Sequence, residues 1–368
     1  MMFNLRLRRT IRTLAISALT LVALGPMAQA QQTVSQPVVQ QVTAGSTQSP
    51  AQDGSFSSYL QQVAVRARAQ GVSQQAIDRI VDGLTVNQRV ISLDRDNLSS
   101  PTTNSTGFSP LAPYIRTHNT QARIDGGVNT LRRLGPMAAE VERTYGVPAQ
   151  IIIAIWGHET AYGAVKGGFD LPQALATLAW EGRRRELFEP ELIATMKMVD
   201  QGVPRGSLVG SYAGAFGNPQ FLPSVYLRLA VDGDRDGDKD IWNSDADTLH
   251  SVANYFRDAG WRTGQPWAVR AFVPNSLDRN AIVNRVTSPV CPRVHSRHSR
   301  WMTVREWRAL GVEPRGNLGD DALASLFEPD GPAAPGYLLT QNYRVILEYN
   351  CSNYYAMSVG LLADEISR

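Results

Sequence analysis

Several things are scarce in this chain, and each scarcity closes off a class of function. Beyond residue 30 there is no apolar run of the ~20 residues that a membrane span needs, so no span is expected. Charge of one sign is lacking too. The formal net charge is +3, and it falls to about −1 once Arg6, Arg8, Arg9 and Arg12 of the N-terminal segment are set aside. No basic field remains to gather nucleic acid. His158-Glu159 starts a zinc-peptidase pattern, but the second histidine is missing, because position 162 is Tyr. No internal repeat is found. Cysteine is limited to Cys291 and Cys351.

The N-terminus combines those four arginines with an apolar run from Leu14 to Leu24 and then Ala28-Gln29-Ala30. This reads as a cleavable secretory signal over 1–30, with no cysteine near the cleavage site to accept lipid. A Gln-, Ser- and Thr-rich stretch over 31–55 offers too little apolar surface to offset chain ordering and reads as a flexible tether. In an exported chain the two cysteines read as one disulfide between distant segments, Cys291–Cys351; a pair of buried free thiols is the alternative.

Apolar spacing predicts helices over 57–83, with a stripe of Tyr59, Val63, Val65, Ala69, Ile77 and Ile80, and over 129–145, 171–180, 190–201, 223–231 and 247–259. A loop is expected over 96–113. Short β-branched or aromatic runs at 267–273 and 281–286 predict strands, and a last helix covers 355–366. The fold class is therefore mainly α (α+β), with a small β-containing insertion.

The densest signal is the helix entered at Gly146-Val147-Pro148. Ile152, Ile155 and Trp156 share a face with Glu159, which places one carboxylate on an apolar stripe. Desolvation raises the pKa of such a group, as a general acid near neutral pH requires. The plainer alternative is a core helix whose terminal Glu points outward.

Between two predicted helices, Asp232, Asp234, Asp236, Asp238 and Asp240 alternate, with Gly237 at the sixth position. This is the front half of an EF-hand loop, whose carboxylates converge on a hard cation. The twelfth position is Asn243 instead of Glu, so Asp245 or Asp247 must close the shell, with Asp247 favoured because it opens the next helix. A structural Ca2+ held by Asp232, Asp234, Asp236, Asp238 and Asp247 is expected; a solvated acidic turn is the alternative.

Five ordered motifs point the same way: Gly157-His158-Glu159-Thr160, the stretch from Gly210-Ser211-Tyr212 to Leu222-Pro223-Ser224, the acidic loop, Ser251-Val252-Ala253-Asn254-Tyr255-Phe256, and Tyr349-Asn350-Cys351-Ser352-Asn353-Tyr354-Tyr355-Ala356. Together they make the chain resemble the lytic murein transglycosylase B family, periplasmic enzymes that cut peptidoglycan glycan strands. The resemblance covers most of 56–368. It implies a lysozyme-like helical core over about 146–263 with the calcium loop embedded, an α part over about 56–145 joined by the C-terminal helix, and a β-containing part over about 264–345. It places the single catalytic acid on Glu159 and substrate-binding positions on Ser211, Gln220, Tyr114, Tyr255, Asn350 and Tyr355, with Tyr349 a weaker candidate. Each of these has a plainer reading as a turn or core residue. Tyrosines suit sugars because a ring can pack on a pyranose face.

The chain departs from the family pattern at Trp180-Glu181-Gly182, where a tyrosine is usual, and its acidic loop is one residue longer before the last aspartate. The implied reaction uses one carboxylate as acid and then base, leaving 1,6-anhydromuramic ends, where most glycosidases use two carboxylates. The implied partners are peptidoglycan strands and other cell-wall enzymes. A hydrolytic muramidase on the same scaffold, a silent peptidoglycan-binding protein and a calcium-dependent adhesin are the competing functions.

Overall fold

Glycine and proline divide the helical pattern more finely than apolar spacing does. The computed structural model describes residues 55–99, 110–332 and 334–368, so the expected signal at 1–30 and all of the tether except Ser55 lie outside the described residues. Ser55 caps α1 (Phe56–Ala69) by accepting the Ser58 N–H, and Ser73 caps α2 (Gln74–Val81) in the same way. Gly71, at φ +86°, separates them. The single helix expected over 57–83 is thus two. Val65 is 70% exposed and Ala69 is also outside, so the buried stripe is Tyr59, Leu60, Val63, Ala67, Ile77 and Ile80.

The loop expected over 96–113 is shorter at both ends, since α3 (Gln88–Ser99) runs into it and α4 (Leu111–His118) begins before Pro113. Pro113 lies in the first turn, where a missing N–H costs no helical bond. The helix expected over 129–145 is likewise two, α5 (Gln121–Arg133) and α6 (Gly135–Tyr145), because Pro136 cannot donate to a continuing ladder. α7 (Ala149–Thr160) is buried at every position from 151 to 160.

Next come β1 (Phe169–Asp170), α8 (Leu171–Glu181), α9 (Arg185–Asp200), β2 (Val209–Gly210), α10 (Pro223–Leu229) and α11 (Asp245–Asp258). α9 starts at Arg185, ahead of the expected start at Pro190, which it tolerates inside the helix. β1 and β2 pair antiparallel.

The remaining strands are β3 (Ala268–Phe272), β4 (Met302–Thr303), β5 (Glu313–Arg315), β6 (Leu323–Phe327) and β7 (Gly336–Leu339). They form one antiparallel sheet in the order β4-β6-β7-β3-β5. Two short helices, α12 (Pro292–His295) and α13 (Val304–Ala309), accompany them, and Trp307 fills a small core against Val269, Leu326 and Leu338. The strand expected over 281–286 does not form: Val283 makes one isolated bridge to Ser299, and Val286 is exposed. The chain ends with α14 (Gln341–Tyr349) and α15 (Asn353–Ile366), and α15 packs on α7, α5 and α4. No described helix is long and apolar enough to cross a membrane.

Candidate active site

α7 ends abruptly after Glu159 because Ala161 and Tyr162 take left-handed backbone conformations, φ +48° and +61°. The Tyr162 ring folds back over Gly126 and Gly157. A Cβ at either glycine would lie 2.6 Å from that ring. The Tyr162 hydroxyl donates to the Arg123 carbonyl at 2.6 Å, which ties α5 to the end of α7.

Glu159 has no exposed surface. The Tyr355 hydroxyl donates to its Oε1 at 2.5 Å, and Oε2 has no protein partner. Burial pushes the carboxyl up to about 8, opposed by the Tyr355 hydrogen bond and by the Arg123 charge. Its place at the negative C-terminal end of α7 disfavours the anion further. The acid is therefore protonated at neutral pH. With Oε1 accepting from Tyr355, the proton sits on Oε2, the one oxygen left for an incoming group. His158 turns toward α15, with Nε2 3.3 Å from the Ser358 hydroxyl, and burial lowers it to about 3, so it stays neutral.

The other expected site residues are all placed, and most already have protein partners. Ser211 Oγ accepts the Ala215 N–H at 3.0 Å, and Gln220, at φ +51°, donates from Nε2 to the Gly217 carbonyl at 2.9 Å. Both are nearly buried within the Gly-rich connection that precedes α10. Tyr349 donates to the Pro219 carbonyl at 2.6 Å, and Tyr255 donates to the Glu348 carbonyl at 3.2 Å; their rings meet edge-on at 4.7 Å. Asn350 is buried between α14 and α15. Tyr114 stacks on His118 at 3.7 Å and lies 5.5 Å from Tyr354, so its ring is already engaged by protein groups. Arg123, His118 and Tyr354 were not among the sequence candidates. No spacing rule links them to Glu159, and Tyr355 itself is 196 residues away in sequence.

Residues 55–364 match the family model described as Transglycosylase SLT domain. The chain belongs to the transglycosylase SLT family. The murein transglycosylase resemblance is borne out, and membership makes the chain a lytic transglycosylase by class. It is 30% identical over 303 residues to the Escherichia coli K12 protein named membrane-bound lytic murein transglycosylase B, covering 81% of this chain and 79% of that one. SltB3 of Pseudomonas aeruginosa, solved in complex with NAG-anhNAM-pentapeptide, superposes with a TM-score of 0.75 at 34% identity, over 85% of this chain and 80% of that one. Slt35 of Escherichia coli, solved in complex with calcium, gives 0.68 at 29% identity, over 84% of this chain and 92% of that one.

In this SLT-family chain two carboxylates of the acidic loop meet a third from the first turn of α11. Ligand oxygens of Asp232, Asp234 and Asp247 lie within 4.8 Å of one another. Asp247 is buried, its Oδ1 accepts the Gly233 N–H at 2.6 Å, and its Oδ2 has no protein partner. Three converging carboxylates and a buried, unpaired oxygen fit a hard cation. Asp245 pairs instead with Arg133, while Asp236 and Asp238 are exposed outside the cluster, with Asp236 accepting the Asp238 N–H. Cys291 and Cys351 form a disulfide across 60 residues.

Proposed function

We propose that the protein is an exported, periplasmic lytic transglycosylase that cleaves the β-1,4 bond between N-acetylmuramic acid and N-acetylglucosamine in peptidoglycan. The observation that carries this reading is Glu159: an enclosed acid, neutral at pH 7, with its free oxygen defined by Tyr355. Oε2–H protonates the glycosidic oxygen as the bond to C1 breaks. The resulting carboxylate, steadied by Tyr355 and Arg123, takes the proton of the muramoyl C6 hydroxyl as that oxygen attacks C1. A 1,6-anhydro ring results and Glu159 returns to its starting state. The complex of the relative SltB3 with NAG-anhNAM-pentapeptide supports this chemistry.

Because Glu159 has no exposed surface, a glycan reaches Oε2 only when the surrounding cleft opens. Ser211, Gln220, Tyr114, Tyr255, Asn350 and Tyr355 would then line the sugar path, with Ser211, Gln220 and Tyr255 exchanging backbone partners for substrate. Asp232, Asp234 and Asp247 would hold a structural Ca2+, a bound charge that relieves carboxylate repulsion and fastens the loop to α11.

The test is mass spectrometry of purified peptidoglycan after incubation with the protein and with Glu159→Gln. Anhydro-muropeptides from the wild type alone are expected. Reducing ends would mean a hydrolytic muramidase, and intact glycan from both proteins would mean a peptidoglycan-binding protein.

A further inference from the structure

An unbroken run of hydrogen bonds joins the aspartate cluster to the end of α7. Ser244, the cap of α11, donates from Oγ to Asp234 at 2.8 Å and accepts the Asp247 N–H at 3.1 Å, so it touches two of the three residues whose carboxylates converge. The Ser244 carbonyl accepts the Thr248 hydroxyl at 2.8 Å, and that hydroxyl accepts from Asn218 Nδ2 at 3.0 Å. The Asn218 carbonyl accepts the Thr160 hydroxyl at 3.0 Å. Thr160 is the residue after Glu159, and it closes α7 by accepting the Gly163 N–H at 3.1 Å. Asn218, Thr248 and Thr160 are all buried, so water does not compete for these bonds.

Asn218 is the joint in this run. Its N–H donates to the Ile241 carbonyl, behind the acidic loop, at 2.8 Å. Its Oδ1 is buried without a protein partner. An unsatisfied buried oxygen destabilises, so packing alone would favour an apolar side chain here, and what the amide adds is the Nδ2 bond to α11. Asp232, Asp234 and Asp247 repel one another until a cation offsets their charge, and Ser244, Thr248 and Asn218 follow the place in which they settle. We propose that Asn218 is a positioning residue, through which the filling of the cation site by Ca2+ fixes the end of α7 and the direction of Glu159. This rests on the transglycosylase reading and gives the cation a control over glycan engagement besides its hold on the loop. A misplacement of about 1 Å at a reacting group can cost on the order of a hundredfold in rate, so a small shift at the loop is felt at the acid.

Coupling between two sites is reciprocal, so Ca2+ and a glycan held at residue 159 should tighten each other by one factor. The Kd of Ca2+ is measured by calorimetry with Glu159→Gln, which spares the ligand, alone and saturated with a muramoyl oligosaccharide, and again with Asn218→Ala added. The oligosaccharide should tighten Ca2+ about fivefold in Glu159→Gln and less than about twofold once Asn218→Ala is present, while the Kd without oligosaccharide stays within about twofold. Thr248→Val keeps the side-chain shape without the hydroxyl and should act like Asn218→Ala, whereas Thr248→Ser should retain the coupling; this pair decides the matter if Asn218→Ala does not fold. Coupling undiminished by Asn218→Ala and Thr248→Val, or absent from every protein, overturns the positioning role. So does a loss of Ca2+ affinity in the ligand-free variants large enough to account for the change. Wild-type turnover is scored separately: the expected coupling without anhydro products would sink the proposed reaction and leave the positioning role standing. Absence of oligosaccharide binding overturns that role together with the substrate class.

Discussion

Replacing Glu159 by Gln should make the protein less sensitive to alkali, and the size of the change follows from burial. In the folded chain the carboxyl is raised from its ordinary 4.5 to about 8, mainly by desolvation. In the unfolded chain it ionises near the ordinary value. As pH rises through that value the unfolded state releases a proton that the folded state keeps, so wild-type stability falls until the folded carboxyl also ionises. At about 1.4 kcal/mol per unit, the total loss is on the order of 5 kcal/mol, complete somewhat above pH 8. For a domain of this size that is roughly 8 °C in Tm. Gln cannot ionise and escapes the loss. Its amide leaves N–H groups in the place of Oε2, which shifts the whole curve by a constant and leaves the pH dependence unchanged. The assay is denaturant or thermal unfolding of both proteins at half-unit steps from pH 4 to 9. The difference between them should move in favour of Glu159→Gln by several kcal/mol across that range and then level off. A difference that is flat with pH would refute the reasoning, because it would mean that Glu159 ionises in the folded protein as freely as in the unfolded chain.

Three further outcomes are expected. Tyr355→Phe removes the hydrogen bond that favours the Glu159 anion, so the alkaline limb of the kcat/KM profile should move upward by roughly one unit while kcat falls about tenfold; a limb that moves downward would contradict the assigned role. Calcium at about a hundred times its Kd should raise the wild-type Tm by roughly 5 °C, and Asp247→Asn should abolish the rise; an equal rise in both proteins would place the ion elsewhere. Replacing both cysteines by Ser should cost about 4 kcal/mol by loop-closure entropy for a separation of 60 residues, read as a lower denaturant midpoint that reductant no longer changes. An unchanged midpoint would show that the 291–351 loop is already constrained by its packing.

What could be read from the sequence was whatever depends on local pattern. The apolar face before Glu159, the alternating aspartates and the β-rich composition after residue 264 are short-range signals, and α7, the carboxylate cluster and the second sheet are found where those signals lie. Errors arose where one residue overrode a good pattern. Gly71 and Pro136 each cut a predicted helix in two, and Val283 and Val286 satisfied strand propensity without a neighbouring strand edge to pair with. The partners of Glu159 had no such signal. Tyr355 and Arg123 reach it from α15 and α5. Family motifs could place Tyr355 there, but Arg123 is defined only by packing.

The cost of burying Glu159 also accounts for the plainness of what surrounds it. An acid that must be neutral at pH 7 cannot be offered a strong ion pair, since a close Arg would return its pKa toward the ordinary range. Arg123 accordingly acts as a minor influence while its guanidinium is engaged with the His118 carbonyl. Tyr355 is a better partner because it donates one neutral hydrogen bond that serves both protonation states, and its own burial keeps its hydroxyl from ionising. The rest of the enclosure is supplied by the small residues of α5 and α7. Gly126, Gly127 and Gly157 admit Tyr162 and Ile366 where a methyl group would collide. A single added carbon at Gly157 would therefore push the end of α7 away from α5 and loosen the dry setting on which the acid depends, which is why a glycine two residues before the acid belongs to the chemistry as much as to the packing.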